Sequence, residues 1–381
     1  MTKASVTFVS RFYPPSPNIN GESVQDLVAH LMEKNIACSI IYIDSLVGNG
    51  VNTKKAVGNL IPIKNYLNRN NKILKMIKMF LDGFLLMRKA RRQKNDLIII
   101  TSAPPLLPFW ANLLLKKQQK YAFWALDLFP ESFAAKGRIS YKNFIYKWLI
   151  KHSYKRKPEF LIALGKKQQK YLEEKCYHTK LEAFILPCGV LDTYSKGEVP
   201  EWYNDKKIIF GYCGNVHDAH NPDFICDFID AINPETQLLV LALYGSKAKS
   251  VLEYAANKAG VLIVGNVPRN QLAYIDIHLV SLLPSFTHFA VPSKAVSAVS
   301  MQKSVLFCGD ESSDNWDLLK SASYLIKEDA NRKKGIIEFC KNIEQSTVNE
   351  KIDKAKKLKI ELVQLVHDNY NRIAEKILNH D

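Results

Sequence analysis

The sequence predicts an α/β fold of two tandem Rossmann-like domains facing each other across a cleft. Three observations carry this. The chain has 381 residues, too many for one ordinary core. Short apolar strand-like runs alternate with helix-like runs, the pattern of parallel sheets covered on both faces. The alternation also starts afresh at residue 207, after a stretch of mixed charge that contains Pro200. With 47% hydrophobic and 24% charged residues, the composition is that of a globular protein rather than a disordered one.

In the first half, VTFVS (6–10) reads as a buried strand, followed by a Pro/Gly/Asn loop (12–21) and a helix over 23–35. ACSIIYI (37–43) is the next strand, and 71–94 reads as a long basic helix. DLIIIT (96–101) and YAFWAL (121–126) are strands joined by a helix. A helix around 141–156 leads to FLIAL (160–164), and FILP (184–187) is the last strand of this half. In the second half the strands are KIIFGYCGN (207–215), LLVLALYG (238–245), VLIVG (261–265), HLVSLLP (278–284) and SVLFCG (304–309). Helices run over 222–232, between the later strands and from Ser293, and one or two more occupy 349–378. The expected domains are 1–190 and 207–350, with 191–206 as linker and 351–381 as a terminal helical segment.

Several classes lose support. The seven Cys are odd in number and include no Cys-x-x-Cys pair, which argues against zinc and disulfide frameworks and fits a reducing compartment. Residues 1–20 lack a basic start, an apolar run and a small-residue cleavage site, so no signal peptide is expected. The apolar stretch 97–115 is long enough to span a bilayer, but Pro104, Pro105 and Pro108 interrupt it, and strand, turn and helix start is the better reading. Net charge is +16 and uneven: residues 54–175 hold 27 Lys and Arg against 7 Asp and Glu. Aliphatic and aromatic residues interleave with these cations, which suits an anionic membrane surface better than nucleic acid, for which no motif is visible. A merely solvated basic face is the other reading.

Five stretches carry possible chemistry. Asn20-Gly21 lies between strand one and helix one, where positive φ would turn backbone N–H groups towards a phosphate; an ordinary strand–helix loop reads equally well. Asp127 falls just after a strand, where a carboxylate takes a proton from an attacking hydroxyl or caps a loop. FGYCGNVHDAHNPD (210–223) places Gly214 and Asn215 at a strand end, with His217 and His220 before a helix near Pro222. That is an anion site at a helix N-terminus, and His at this spacing without an acidic or Cys partner is a weak metal motif. Pro292-Ser293-Lys294 opens a helix; Ser293 is expected to cap it and Lys294 to hold a diphosphate there, the alternative being a solvated Lys. The basic block is the fifth.

Read in order, these stretches resemble the retaining glycosyltransferases of the GT-B fold (family four) that build bacterial O-antigen and capsular polysaccharide. FYPP with Asn20-Gly21, TSAPPLLP (101–108) with DLFPES (127–132), YCGNVHDAH (212–220) and VPSKAVSAVSMQKSVL (291–306) match that family's stretches in sequence order. The resemblance implies a nucleotide-diphosphate sugar as donor substrate, no metal and no other cofactor. It implies Asp127 as the catalytic or acceptor-side carboxylate. Asn20, Gly21, Gly214, Asn215, His220, Pro292, Ser293, Lys294 and Ser297 become the donor-side residues. The terminal helix is expected to cross back onto the first domain. The acceptor is expected to be a saccharide on a polyprenyl diphosphate, with the protein cytoplasmic and peripheral on the inner face of the membrane.

The chain departs from the pattern at three places. Asp218 stands where the family often has Arg, Ser297 and Phe289 where it often has a pair of Glu, and Ser300–Ser304 lack the usual Gly and Pro. With the Arg missing, Lys294, helix N-termini and a residue such as Arg269 are left to stabilise a leaving diphosphate. Two other functions stay open: a non-catalytic scaffold subunit of a polysaccharide-synthesis complex, and a sugar-nucleotide epimerase on the same fold.

Overall fold

The computed structural model describes residues 4–16, 18–44, 55–64, 72–189 and 196–379. The chain forms two compact units, Met1–Cys188 together with Leu365–Asp381, and Gly189–Gln364. Residues 191–195 of the expected linker lie outside the described residues.

The first unit runs β1 (Ser5–Val9), α1 (Ile19–Glu33), β2 (Ala37–Asp44), β3 (Asn59–Lys64), α2 (Lys72–Ala90), β4 (Leu97–Thr101), α3 (Leu107–Leu114), β5 (Lys120–Ala125), α4 (Glu131–Ala135), α5 (Phe144–Ser153), β6 (Leu161–Ala163), α6 (Lys166–Tyr171) and β7 (Ala183–Ile185). Its seven strands are parallel, in the order β3-β2-β1-β4-β5-β6-β7. Helices on both faces leave no wet side, so the central strands are mostly apolar: all five residues of β4 are buried. The apolar run 97–115 is divided between β4 and α3, with Pro108 in the first turn of α3. Among the described residues no helix is long and apolar enough to cross a membrane.

Two readings of this half need correction. Helix α1 begins at Ile19, not 23, because the Asn18 side chain accepts from the Asn20 N–H and caps it there. Asn20 and Gly21 are therefore helical and not a positive-φ turn. A side chain on Gly21 would meet the Phe12 carbonyl carbon and the Tyr13 nitrogen at 3.1 Å, so the glycine serves the close approach of α1 to its own lead-in. Strand β3 was not expected. It contains Pro62 and has no buried residue, both tolerable only because it is the sheet's edge.

The second unit runs β8 (Ile208–Asn215), α7 (Pro222–Ala231), β9 (Gln237–Tyr244), α8 (Ala248–Ala255), β10 (Val261–Ile263), β11 (Ile277–Ser281), α9 (Ser293–Ser300), β12 (Ser304–Gly309), α10 (Asp314–Leu319), β13 (Ser323–Lys327), α11 (Arg332–Asn342) and α12 (Gln345–Leu378). Six parallel strands follow the order β10-β9-β8-β11-β12-β13. One face buries Phe210, Phe224, Phe228, Leu239 and Leu241 with Val348 of α12, each worth about 1.5–3 kcal/mol against exposure. The rings of Phe210 and Phe228 meet edge to face at 4.9 Å. Arg332 ties α11 to Asp227 of α7 at 2.9 Å and also pairs with Glu328. The unexpected strand here is β13, another edge, with only Ser323 and Ile326 buried. From Leu365 onward α12 belongs to the first unit, where Asn369 donates to the Ile185 carbonyl at 3.2 Å and Asn371 meets His30 at 3.1 Å.

Gly245, directly after β9, has φ +106°, and a Cβ there would lie 2.8 Å from the Val216 carbonyl oxygen and against the Asn215 amide. Gly245→Ala is expected to cost about 2 kcal/mol or more, read as a lower urea midpoint. An unchanged midpoint would show that the loop yields freely.

Candidate functional site

In an open parallel sheet, ligands bind beyond the carboxyl ends of the strands where the strand order reverses. In the second unit that point lies between β8 and β11, which neighbour each other although β9 and β10 come between them in sequence. The loops there are joined by backbone: Asn221 N donates to Ser281 Oγ at 3.1 Å, and Leu283 N to the Ala219 carbonyl at 2.9 Å. Gly214 and Asn215 end β8. Gly214 has φ +122° and open space where a side chain would stand.

Lys294 arrives at the same place from α9. Its Nζ donates to the Asn215 carbonyl at 3.1 Å and lies 4.1 Å from the centre of the Tyr212 ring. One carbonyl and a ring face are modest partners for a partly buried ammonium, and burial pushes its pKa down to about 7. The Asn215 amide oxygen beside it is buried without a hydrogen-bond partner. His220 is buried too, and its Nδ1 accepts from the His217 N–H at 3.3 Å. Burial, then Lys294, His217 and Lys247, hold its imidazole neutral, well below the ordinary value. Gly214, Asn215, His220 and Lys294 are thus brought together.

Two details of that reading change. The N-terminus of α7 is not open to an anion, because Asn221 Oδ1 takes the Asp223 N–H at 2.9 Å and Pro222 has no N–H to offer. Ser293 does not cap α9: Pro292 occupies the cap position with no side-chain hydrogen bond, and Ser293 is already helical. The first-turn N–H groups of α9 therefore have no side-chain cap. Ser297 lies one turn further along α9, partly exposed. Arg269 is exposed at the start of a short 3-10 helix on the connection from β10 to β11. Phe289 is buried. Among the described residues no group of three His, Cys, Asp or Glu comes together as a metal site.

In the first unit Asp127 follows β5 directly and is exposed. Protein packed around its carboxyl raises its pKa, and Lys136 opposes this. The backbone before it is held on both sides, with Leu126 N donating to Ser102 Oγ at 3.0 Å and the Leu126 carbonyl accepting from Gln168 at 2.9 Å. Asn20 Oδ1 accepts from the Cys188 thiol at 3.3 Å. Burial pushes that thiol up to about 12, with the Asp127 and Glu22 charges adding to it. Asn20 is thus in contact with Cys188, and the Asp127 charge acts on the same thiol.

By structure the chain is similar to sugar-transferring enzymes along its whole length. It covers 98% of itself and 100% of WaaG, a glycosyltransferase involved in lipopolysaccharide biosynthesis, at TM-score 0.67 and 12% identity. It matches sucrose-phosphate synthase of Thermosynechococcus elongatus over 98% of each chain at TM-score 0.70 and 13% identity. A UDP-forming trehalose-phosphate synthase of Burkholderia xenovorans, in complex with glucose-6-phosphate, gives TM-score 0.68 at 10% identity over 98% of this chain and 100% of that one. The chain has the GT-B fold. No model of a known family matches the sequence, and no curated protein matches it by sequence.

Within this GT-B fold three side chains matter that sequence reasoning passed over. Tyr212 supplies the ring under Lys294, and its signal was its place two residues before Gly214 on the same strand face. Cys188 holds the Asn20 side chain and was read only as one of seven thiols. Glu131, inside the DLFPES stretch, is fully buried at the head of α4. Its Oε1 accepts from Tyr154 Oη at 2.8 Å and Cys176 Sγ at 3.5 Å, while its Oε2 has no partner, and burial pushes its pKa up to about 7. It ties the loop that carries Asp127 to the end of α5.

The ordinary Lys value is 10.5, against about 7 for Lys294 in the folded chain. Between those values the unfolded chain holds a proton that the folded chain lacks, so this residue's contribution to stability rises with pH. Relative to Lys294→Met, the wild type should gain stability as pH goes from 7 towards 10.5. A difference in unfolding free energy that stays flat with pH would contradict the depressed ammonium.

Proposed function

We propose that the protein is a retaining glycosyltransferase that moves a sugar from a nucleotide-diphosphate donor to a saccharide borne on a lipid, in cell-surface polysaccharide synthesis at the inner face of the cytoplasmic membrane. The observation that carries the donor half is Lys294 held beside Asn215 and Gly214 at the strand-order reversal of the second unit. An anion with several negative oxygens suits that position. It would return the proton that burial takes from Lys294, and the uncapped first turn of α9 adds aligned N–H groups. As the sugar leaves, charge develops on the diphosphate, and fixed donors aimed there lower the barrier. Neutral His220 gives shape and hydrogen bonding without competing charge. On the acceptor side, a carboxylate whose pKa is raised is a better base for a sugar hydroxyl, and Asp127 has both the exposure and the anchored backbone for this. Asn20 and Gly21 enter this reading through the first turn of α1, and Pro292 and Ser293 through that of α9.

One observation favours the scaffold reading instead. Asp218 stands where the resemblance calls for Arg, and Ser297 and Phe289 where it calls for Glu. The two readings part on donor binding. With a panel of UDP, GDP, dTDP and CMP nucleotides, one class should raise the melting temperature of the wild type, and Lys294→Ala should reduce the rise. No shift at millimolar concentration with any of them would favour the scaffold.

Asp127→Asn should keep that nucleotide shift and lower kcat about 10²–10⁴-fold. A variant of undiminished turnover would remove Asp127 from the chemistry.

A further inference from the structure

The basic surplus of residues 54–175 coincides with the place where the first unit brings apolar side chains to its surface. Ile77, Phe80 and Leu81 of α2 are 45%, 39% and 43% exposed, Leu113 of α3 61%, and Phe144 and Trp148 of α5 77% and 49%. Aromatic contacts join the three helices into one face. Phe80 meets Trp110 of α3 edge to face at 4.7 Å, and Phe109 of α3 meets Trp148 at 5.4 Å. Helix α5 buries only Tyr146 and Ser153, while Phe144 and Trp148, one turn apart, stand in solvent.

Cations accompany this face and exposed acids do not. Residues 138–157 contain seven Lys and Arg and no Asp or Glu, and Lys142, Lys147 and Lys151 are exposed. The one acid of α2, Asp82, is buried and paired with Arg11 at 3.7 Å. An apolar patch of this kind on a soluble surface marks an interaction site. Nucleic acid would use the cations and leave the aliphatic side chains stranded in water. A bilayer with anionic headgroups uses both: rings and aliphatic chains enter the boundary between headgroups and acyl chains, and ammonium groups meet phosphates.

We propose that the α2–α3–α5 face of the first unit docks on an anionic lipid bilayer, with Phe144 and Trp148 inserted and Lys142, Lys147 and Lys151 on the phosphates. This deepens the proposed function by giving the side on which a lipid-borne acceptor is met, and it rests on that reading for its purpose alone.

The test is co-sedimentation of the full chain with vesicles of phosphatidylglycerol mixed into phosphatidylcholine, and with pure phosphatidylcholine. The wild type should bind the anionic vesicles, release with salt, and ignore the neutral ones. The double variant Lys147→Gln/Lys151→Gln should bind about 30-fold more weakly, at about 5-fold per cation. Phe144→Ser/Trp148→Ser should lose binding about 10-fold or more. Brominated acyl chains should quench wild-type tryptophan fluorescence more than that of Trp148→Phe. All four positions are exposed, and a cooperative melting transition at the wild-type temperature on the same samples reports that the variants are folded. Equal binding to neutral vesicles, no binding, or variants indistinguishable from wild type would overturn the proposal. So would self-association in ultracentrifugation that Phe144→Ser/Trp148→Ser abolishes, since the face would then belong to a second copy. Vesicle binding without any nucleotide shift would leave this inference standing and remove the donor site; the reverse would remove only the inference.

Discussion

A parallel strand covered by helices on both faces has little room for a polar side chain. That constraint organises both units. It makes the interiors of β4 and β5 apolar, with Thr101 and Lys120 at strand ends, and it favours the strand termini for charged groups. Gly214 and Asn215 end β8, Asp127 follows β5, and Cys188 follows β7. The candidate site residues gather at the strand ends because the sheet interior has little room for polar groups.

The groups at those ends are held under electrostatic cost. Lys294 has a carbonyl and a ring where an ammonium prefers water or a carboxylate. Glu131 has one oxygen satisfied by Tyr154 and Cys176 and one buried orphan. Neither arrangement serves stability best, and an apolar residue of similar size would fold as well or better. Such costs concentrate where a site is prepared for a ligand or a proton.

The sheet strands of the two cores were legible because their signal is dense: five or more consecutive apolar residues between turn residues leave little choice. The edge strands β3 and β13 were not, since an edge strand is half solvated and its pattern fades, and Pro62 argues against a strand until the strand is known to have one free side. The start of α1 was misplaced because Asn18 and Asn20 are equally good turn residues, and only the hydrogen bond between them shows which one caps. At the site, Lys294 and Gly214 could be found from position along the chain. Glu131 could not, because what sets it apart is the absence of water and of a second partner, and neither is written in the residues beside it. Tyr212 lies between: strand alternation puts it on the right face, but only folding brings α9 over it.

Helix α12 has a consequence for how the chain is made. Its residues from Leu365 belong to the first unit, where Ile373, Ala374 and Ile377 are buried and Asn369 satisfies the Ile185 carbonyl. The ribosome finishes the rest of that unit at Cys188 and then translates the whole second unit before this segment emerges. At about 5–20 residues per second, that is a delay on the order of ten seconds or more. During it the nascent first unit exposes an apolar groove and an unpaired edge carbonyl, a natural station for a chaperone.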